Sequence, residues 1–312
     1  MIKVRVPATS ANMGPGFDTL GIAFNLYNIF EFSEIENGVE FEGFKEEFSN
    51  KDNIVYKSMM ICFNKCNYIP RGLKIKLVEE NIPMSRGLGS SSTCIVAGLL
   101  GANYIMGNIL SLEDLFKIGV EIEGHPDNIA PAFFGGMVVS VIEEKDVIYN
   151  KIDVKEGINF VAIIPDFELS TSLARKVLPT EVAFKDAVYN ISRASLMISA
   201  FSNGRYELLK YACRDSLHEK YRSPLIKNYN LVYNKCISSG ALSCFLSGAG
   251  PTIMAIIKND HEEIVGNIKK FLKDEHINWN VKELSIDNVG AKSYKGGTNE
   301  REFFNCRQKS FA

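Results

Sequence analysis

Residues 83–93, PMSRGLGSSST, stand between an alternating stretch at residues 73–78 and an apolar segment at residues 94–106. The first reads as a strand and the second as a helix, so this glycine- and serine-rich piece carries the chain into a helix amino terminus. N–H groups there lack carbonyl partners and the peptide dipoles sum to positive character, which favours an anion. Gly87 and Gly89 let the backbone approach a phosphate closely, while Ser90, Ser91, Ser92 and Thr93 add hydroxyl donors or a magnesium ligand. The residues predict a triphosphate cradle, although an ordinary turn closed by a serine N-cap uses the same residue types. Neither G-x-x-x-x-G-K-[ST] nor a complete G-x-G-x-x-G occurs here, so the two commonest nucleotide loops do not explain it.

The 312 residues, 46% of them hydrophobic, supply cores for about two domains. With 35 Lys plus Arg against 37 Asp plus Glu, the net charge of -2 gives no field for nucleic acid or an anionic membrane. Small-molecule partners are expected. The opening MIKVRVPATSANMG has no apolar export core, and Gly98, Gly101 and Asn103 interrupt residues 94–106, which predicts a cytoplasmic chain without a membrane span. Cys62, Cys66, Cys94, Cys213, Cys236, Cys244 and Cys306 show no framework spacing, as expected of reduced thiols. Cys62 and Cys66 lie one helical turn apart, but no neighbouring His or second Cys pair completes a zinc set.

Strand, loop and strand open the chain, with the loop at Gly14, Pro15 and Gly16; a helix over residues 53–65 and the strand at 73–78 follow. After the loop come two helices, the second, SLEDLFKIGVEIEG, with Ser111 and Asp114 in capping-box spacing. Strands MVVSVI and VIYNKIDV lead to a charged turn at 155–157, where a domain boundary is placed. The second half reads strand, helices (184–201 and 204–217), strand (242–246), glycine turn, strand (252–257), helix (262–274) and strand (280–284). Helix pairs covering one face of mostly antiparallel sheets are expected, an α+β arrangement.

Two further segments have the composition of ligand loops. PATSANMGPGFDTLG surrounds Asn12 and Asp18 with small residues, and in LSGAGPT both Gly248 and Gly250 permit close backbone approach, though a plain polar loop and a plain hairpin turn fit as well. Together the three segments resemble, in order and spacing, the motifs of the GHMP kinases. EIEGHPDNIAPAFFGG, TSANMGPGFD, STSLARKVLP and YRSPLI resemble more narrowly the branch that phosphorylates L-homoserine. The resemblance covers about residues 1–290. It departs at SSST, where the family more often has two serines followed by small alanines, and it leaves the tail unexplained.

The resemblance implies a two-domain GHMP kinase fold. A ribosomal-protein-S5-domain-2-like domain over residues 1–156 holds the phosphate loop, and a ferredoxin-like domain spans 157–290. Nucleotide and substrate share the cleft between them, and residues 291–312 form a loose tail. It also implies ATP, Mg2+ and L-homoserine as ligands, an alcohol phosphotransferase activity serving threonine biosynthesis, and leaves a homodimer open. Nucleotide contacts fall by resemblance to Asn53 and to Pro83, Met84, Ser85, Arg86, Gly87, Leu88, Gly89, Ser90, Ser91, Ser92 and Thr93. The substrate ammonium falls to Asp18 with Asn12 and His125, and its carboxylate to Arg175 and Arg222, near Gly248.

Glu121 and Glu123 sit two apart on a helix, so only one points into a cleft. By similarity, Glu121 joins Ser91 as the magnesium ligand. No base is assigned. Asn128 stands where other branches carry a carboxylate, and an amide takes no proton near neutral pH; Asn128 and Thr171 are expected to align the oxygens, with His125 a rival base. A mevalonate-type GHMP kinase and a catalytically silent sensor remain the alternatives.

Overall fold

The computed structural model describes residues 1–144, 146–259 and 262–295. Two sheets carry the fold, and the chain passes from one to the other between Ile152 and Ile158. In the first, β1 (Ile2–Ala11), β2 (Leu20–Glu34), β3 (Gly38–Glu42) and β4 (Gly72–Glu80) are joined by α1 (Ile54–Lys65) ahead of β4. β2 is long enough, 15 residues, to hold two neighbours on one side: β4 along residues 28–34 and β5 (Met137–Glu143) at residues 20–22. β6 (Asp146–Ile152) closes a hairpin on β5. The helices α1, α2 (Ser90–Ile105), α3 (Leu112–Glu123) and α4 (Pro126–Phe134) bury one face of this sheet around Phe30, Phe32, Phe63 and Phe116. Each such ring removed from water contributes about 1.5–3 kcal/mol. The Ser111 capping box forms as read, with the Asp114 N–H 3.1 Å from Ser111 Oγ.

β7 (Ile158–Ile164) starts the second sheet. α5 (Thr171–Lys176), α6 (Phe184–Asn203), α7 (Leu209–Ala212), α8 (Glu219–Arg222) and α9 (Tyr229–Ser238) follow, then β8 (Ser243–Leu246), β9 (Ile253–Lys258), α10 (Glu262–Asp274) and β10 (Asn280–Leu284). Its order is β10-β7-β9-β8, every pair antiparallel. A second core joins the two halves: Phe24 of β2 meets Phe160 of β7 edge-on at 5.0 Å, with Met13, Met254 and Phe201 around them. The mouth above this shared core holds the candidate site. No helix among the described residues is long and apolar enough to cross a membrane. Six of the cysteines are free, and four of these, Cys62, Cys213, Cys236 and Cys244, are buried.

Several elements differ from their sequence reading. The loose tail expected from residue 291 returns instead as β11 (Lys292–Lys295), antiparallel to β1, because β1 would otherwise leave its outer edge of N–H and C=O groups open. Residues 296–312, the rest of that expected tail, with Cys306, lie outside the described residues. The helix expected over 204–217 breaks at Cys213. The Asp215 carboxylate accepts the N–H groups of Leu217, His218 and Glu219 at 2.7–3.0 Å, which caps α8 and stops a continuous helix. α4 and the parallel β3–β4 pair had no counterpart in the sequence reading.

Candidate active site

Three loops converge at the mouth. β1 leads into residues 12–19, β4 into the glycine-serine loop and β8 into residues 247–252. The Gly248 N–H donates to the Ala11 carbonyl (2.9 Å), the Thr252 N–H to that of Arg86 (3.3 Å), and Ser247 Oγ lies 2.6 Å from the Gly87 carbonyl oxygen. Gly87 and Gly89 have φ of +78° and +70°, and a Cβ would meet the Ser247 carbonyl oxygen at 2.3 Å or Thr9 Oγ1 at 1.9 Å. The two glycines therefore serve the junction of the loops as well as open backbone.

Gly89 caps α2 without a side-chain oxygen, so the amides of Ser90, Ser91 and Ser92 have no carbonyl one turn back to bond. These serines line the cleft with Met84, Ser85, Arg86, Gly87 and Gly89. Pro83, Leu88 and Thr93, also expected at the nucleotide, do not line it. Leu88 is in the core, and the Thr93 hydroxyl bonds the Gly89 carbonyl at 2.8 Å. Arg86 lines the cleft while its guanidinium donates to the carbonyls of Pro165 and Asp166 at 3.0 Å and so ties the loop to the second half. Asn53 lines the cleft too, but its amide oxygen caps α1 and its NH2 holds the Phe48 carbonyl (2.8 Å). Phe30, Phe44, Leu77 and Cys94 make the cleft's apolar part, and burial pushes the Cys94 thiol up to about 12, an unreactive wall.

The carboxylate expected at magnesium, Glu121, does not line the cleft. Glu121 turns away and pairs with Lys65 of α1 at 2.7 Å, whereas Glu123 accepts hydrogen bonds from Ser91 (3.3 Å) and Ser92 (3.1 Å). Glu123, not Glu121, faces the cradle. Helical geometry separated the two carboxylates but could not choose between them, because the deciding contacts come from other helices.

At the other end Asn12 lines the cleft and Asp18 stands just behind the lining, held there by Arg175; both adopt positive φ, 55° and 52°, and Asn12 Oδ1 accepts the Asp18 N–H at 2.8 Å. Asp18 makes a two-point ion pair with Arg175 of α5, at 2.6 and 3.1 Å. Arg222 of α8 is 1% exposed and donates to the carbonyls of Ala174 (3.0 Å) and Gly248 (3.2 Å). The guanidinium carbons of Arg175 and Arg222 stand 5.5 and 5.1 Å from the Phe17 ring centre. Thr171 begins α5 and lines the cleft, as do His125, Asn128 and Gly248. Asn128 Oδ1 accepts the Thr9 hydroxyl at 2.7 Å, which orients the amide.

Asp127, 1% exposed, holds His125 Nδ1 at 3.1 Å, and its second oxygen is buried without a partner. Asp18, His125 and Asp127 bring one ligand atom each within 4.8 Å of one another. Burial alone would lower the His125 pKa; the hydrogen bond and charge of Asp127, with Glu123 behind, outweigh it, and His125 ends above its ordinary value. In Asp127→Asn burial acts without that carboxylate, so the NMR titration midpoint of His125 should fall from above the ~6.5 reference to below it. The folded value being the higher one, the His125 proton stabilises the fold below about pH 6.5, and that contribution fades as pH rises through the folded pKa. An unchanged midpoint in the variant would show that Asp127 does not hold the proton. Thr9 and Phe17 were missed as site residues; both lie inside motifs already singled out, and a ring within a polar loop was the one usable signal.

Residues 53–136 match the GHMP kinases N terminal domain, and residues 197–274 match the GHMP kinases C terminal. The chain belongs to the GHMP kinases. This GHMP kinase is 59% identical to a homoserine kinase of Clostridium beijerinckii and 57% identical to one of Clostridium botulinum, each over 296 residues, 95% of this chain and 99% of the relative. Among solved structures it is similar to the homoserine kinase of Cytophaga hutchinsonii (TM-score 0.82, 28% identity, 94% of this chain and 97% of that one). A putative homoserine kinase of Listeria monocytogenes superposes at TM-score 0.76 with 30% identity, covering 95% of this chain and 100% of that one. Both GHMP kinase halves thus follow a known two-domain architecture of mixed helices and sheets.

Proposed function

We infer that this GHMP kinase is a homoserine kinase, moving the terminal phosphoryl group of ATP to the side-chain hydroxyl of L-homoserine and so serving threonine biosynthesis. The observation that carries the reading is one cleft with two unlike ends. One end offers free amides and serine hydroxyls to an anion; the other sets Asp18 beside Arg175 and Arg222, opposite charges suited to the two ends of an amino acid. The apolar stretch at Phe30, Phe44 and Leu77 suits the base of ATP, whose phosphates then reach Gly87, Gly89 and the amino end of α2.

Glu123 with Ser91 presents hard oxygen donors beside the cradle, a donor set that fits Mg2+. When bound there, the ion would neutralise phosphate charge. Asn128, oriented by Thr9, and Thr171 then align the acceptor hydroxyl. Asp127 is too deeply buried to take the hydroxyl proton, an amide does not accept one, and His125, whose pKa the Asp127 carboxylate raises, is held toward its protonated form. The proton accordingly leaves late, with the transferred phosphoryl group as its acceptor. Product analysis by mass spectrometry with ATP and a panel of L-homoserine, L-serine, L-threonine and mevalonate tests the reading. O-phospho-L-homoserine should be the dominant product; preferential phosphorylation of mevalonate, or tight ATP binding with no product, would overturn it.

A further inference from the structure

The ion pair between Asp18 and Arg175 spans the mouth of the cleft, one partner from the loop after β1 and the other from α5. Its two hydrogen bonds use both terminal nitrogens of the guanidinium and both carboxylate oxygens. The backbone that carries Asp18 is pinned as well, its N–H donating to Asn12 Oδ1. Arg222, close by and buried, bonds only carbonyl oxygens, and among the described residues no carboxylate lies within ion-pair reach of it. The mouth thus holds one satisfied pair of opposite charges and, in Arg222, a cation that no carboxylate contacts, with Asp18, Asp127 and Asp215 acting on it only from a distance.

We propose that the Asp18–Arg175 pair is an internal stand-in for a zwitterion, so that the ammonium and the carboxylate of the acceptor are recognised jointly and neither is recognised alone. The inference rests on the amino-acid-kinase reading above and adds a rule of selectivity to it. A ligand carboxylate gains the fork of Arg175, alongside Arg222, only if Arg175 leaves Asp18. Asp18 is then an uncompensated charge in a partly enclosed site unless the same ligand brings an ammonium group. The converse holds for an amine without a carboxylate, which would strand Arg175 next to Arg222. A zwitterion exchanges one internal pair for two external ones, whereas a singly charged ligand breaks the pair and leaves one member alone. The two ligand charges are therefore positively coupled.

Four alcohols of matched chain length test this on the wild-type enzyme: L-homoserine, 4-hydroxybutyrate (no ammonium), 3-aminopropan-1-ol (no carboxylate) and propan-1-ol (neither). The readout is kcat/KM at saturating ATP, from the phosphorylated product by mass spectrometry. Removing the ammonium should cost at least about tenfold more when the carboxylate is present than when it is absent. Equal losses in the two backgrounds would mean that the charges are read independently, and the proposal would be wrong while the kinase reading stood. Failure to phosphorylate L-homoserine at all would instead remove the reading underneath it. A second arm predicts a change of sign: Asp18→Asn, which frees Arg175, should lower kcat/KM for L-homoserine yet raise it for 4-hydroxybutyrate. A variant that loses activity toward both alcohols would contradict the exchange.

Discussion

Glu123→Gln should lower kcat/KM for phosphoryl transfer by about 10²- to 10³-fold, whereas Glu121→Gln should leave it within about twofold. The two residues share a helix and a chemistry, and differ only in what they face. Glu123 points at the first turn of α2, where Ser91 and Ser92 already donate to its two oxygens at 3.3 and 3.1 Å. Glu121 points at Lys65, with 60% of its side chain exposed. An exposed ion pair of that kind contributes about 0–1 kcal/mol, too little for its loss to register in turnover. Gln preserves the size of Glu123 and its ability to accept from a serine but removes the charge, so the fold stays and the hard anionic ligand goes. The half-saturating Mg2+ concentration should rise in Glu123→Gln and not in Glu121→Gln. Were Glu121→Gln the more damaging of the two, the assignment drawn from side-chain geometry would be reversed.

That contrast also marks where sequence reasoning stops. Local signals were legible: the Ser111–Asp114 capping box, the strand-loop-helix order around residues 83–93 and the charged turn at 155–157 depend on residues a few positions apart. What escaped was decided by distant partners. β11 exists because β1, at the far end of the chain, has a free edge, and the break after Cys213 exists because one Asp carboxylate gathers three amides. The short α4 hides behind its two prolines, one helpful at its first turn and one, Pro131, inside it. Within the site the same division holds. Asn12, Asp18, Arg175 and Arg222 were named from motifs, but that Asp18 and Arg175 meet each other, and that Arg86 turns to Pro165 and Asp166, follows only from the packing of the two halves.

Arg222→Met should raise KM for L-homoserine by about 30- to 4,000-fold, the equivalent of about 2–5 kcal/mol for losing one partner of a buried charge pair, with KM for ATP little changed. Burial, and the like charge of Arg175, push the Arg222 guanidinium down to about 10, so in the free enzyme this group is a strained cation held by two carbonyls. A ligand carboxylate relieves it, and that relief is binding energy. Met fills similar volume without charge. The fold loses two hydrogen bonds at Ala174 and Gly248, about 1–3 kcal/mol for the carbonyls left short, and is relieved in part by the removal of a buried cation that Asp18, Asp127 and Asp215 offset only from a distance. The thermal midpoint should accordingly stay within a few degrees, about one or two kcal/mol for a chain this long. Loss of substrate affinity without loss of stability is the signature of a charge kept for its ligand. Arg222→Lys, which retains the cation but not the planar fork, should fall between wild type and Arg222→Met. Calorimetry and steady-state kinetics on the two variants check this together. An unchanged homoserine KM in Arg222→Met, or a fall of tens of degrees in its thermal midpoint, would show that Arg222 supports the fold and leaves the acceptor carboxylate to Arg175 alone.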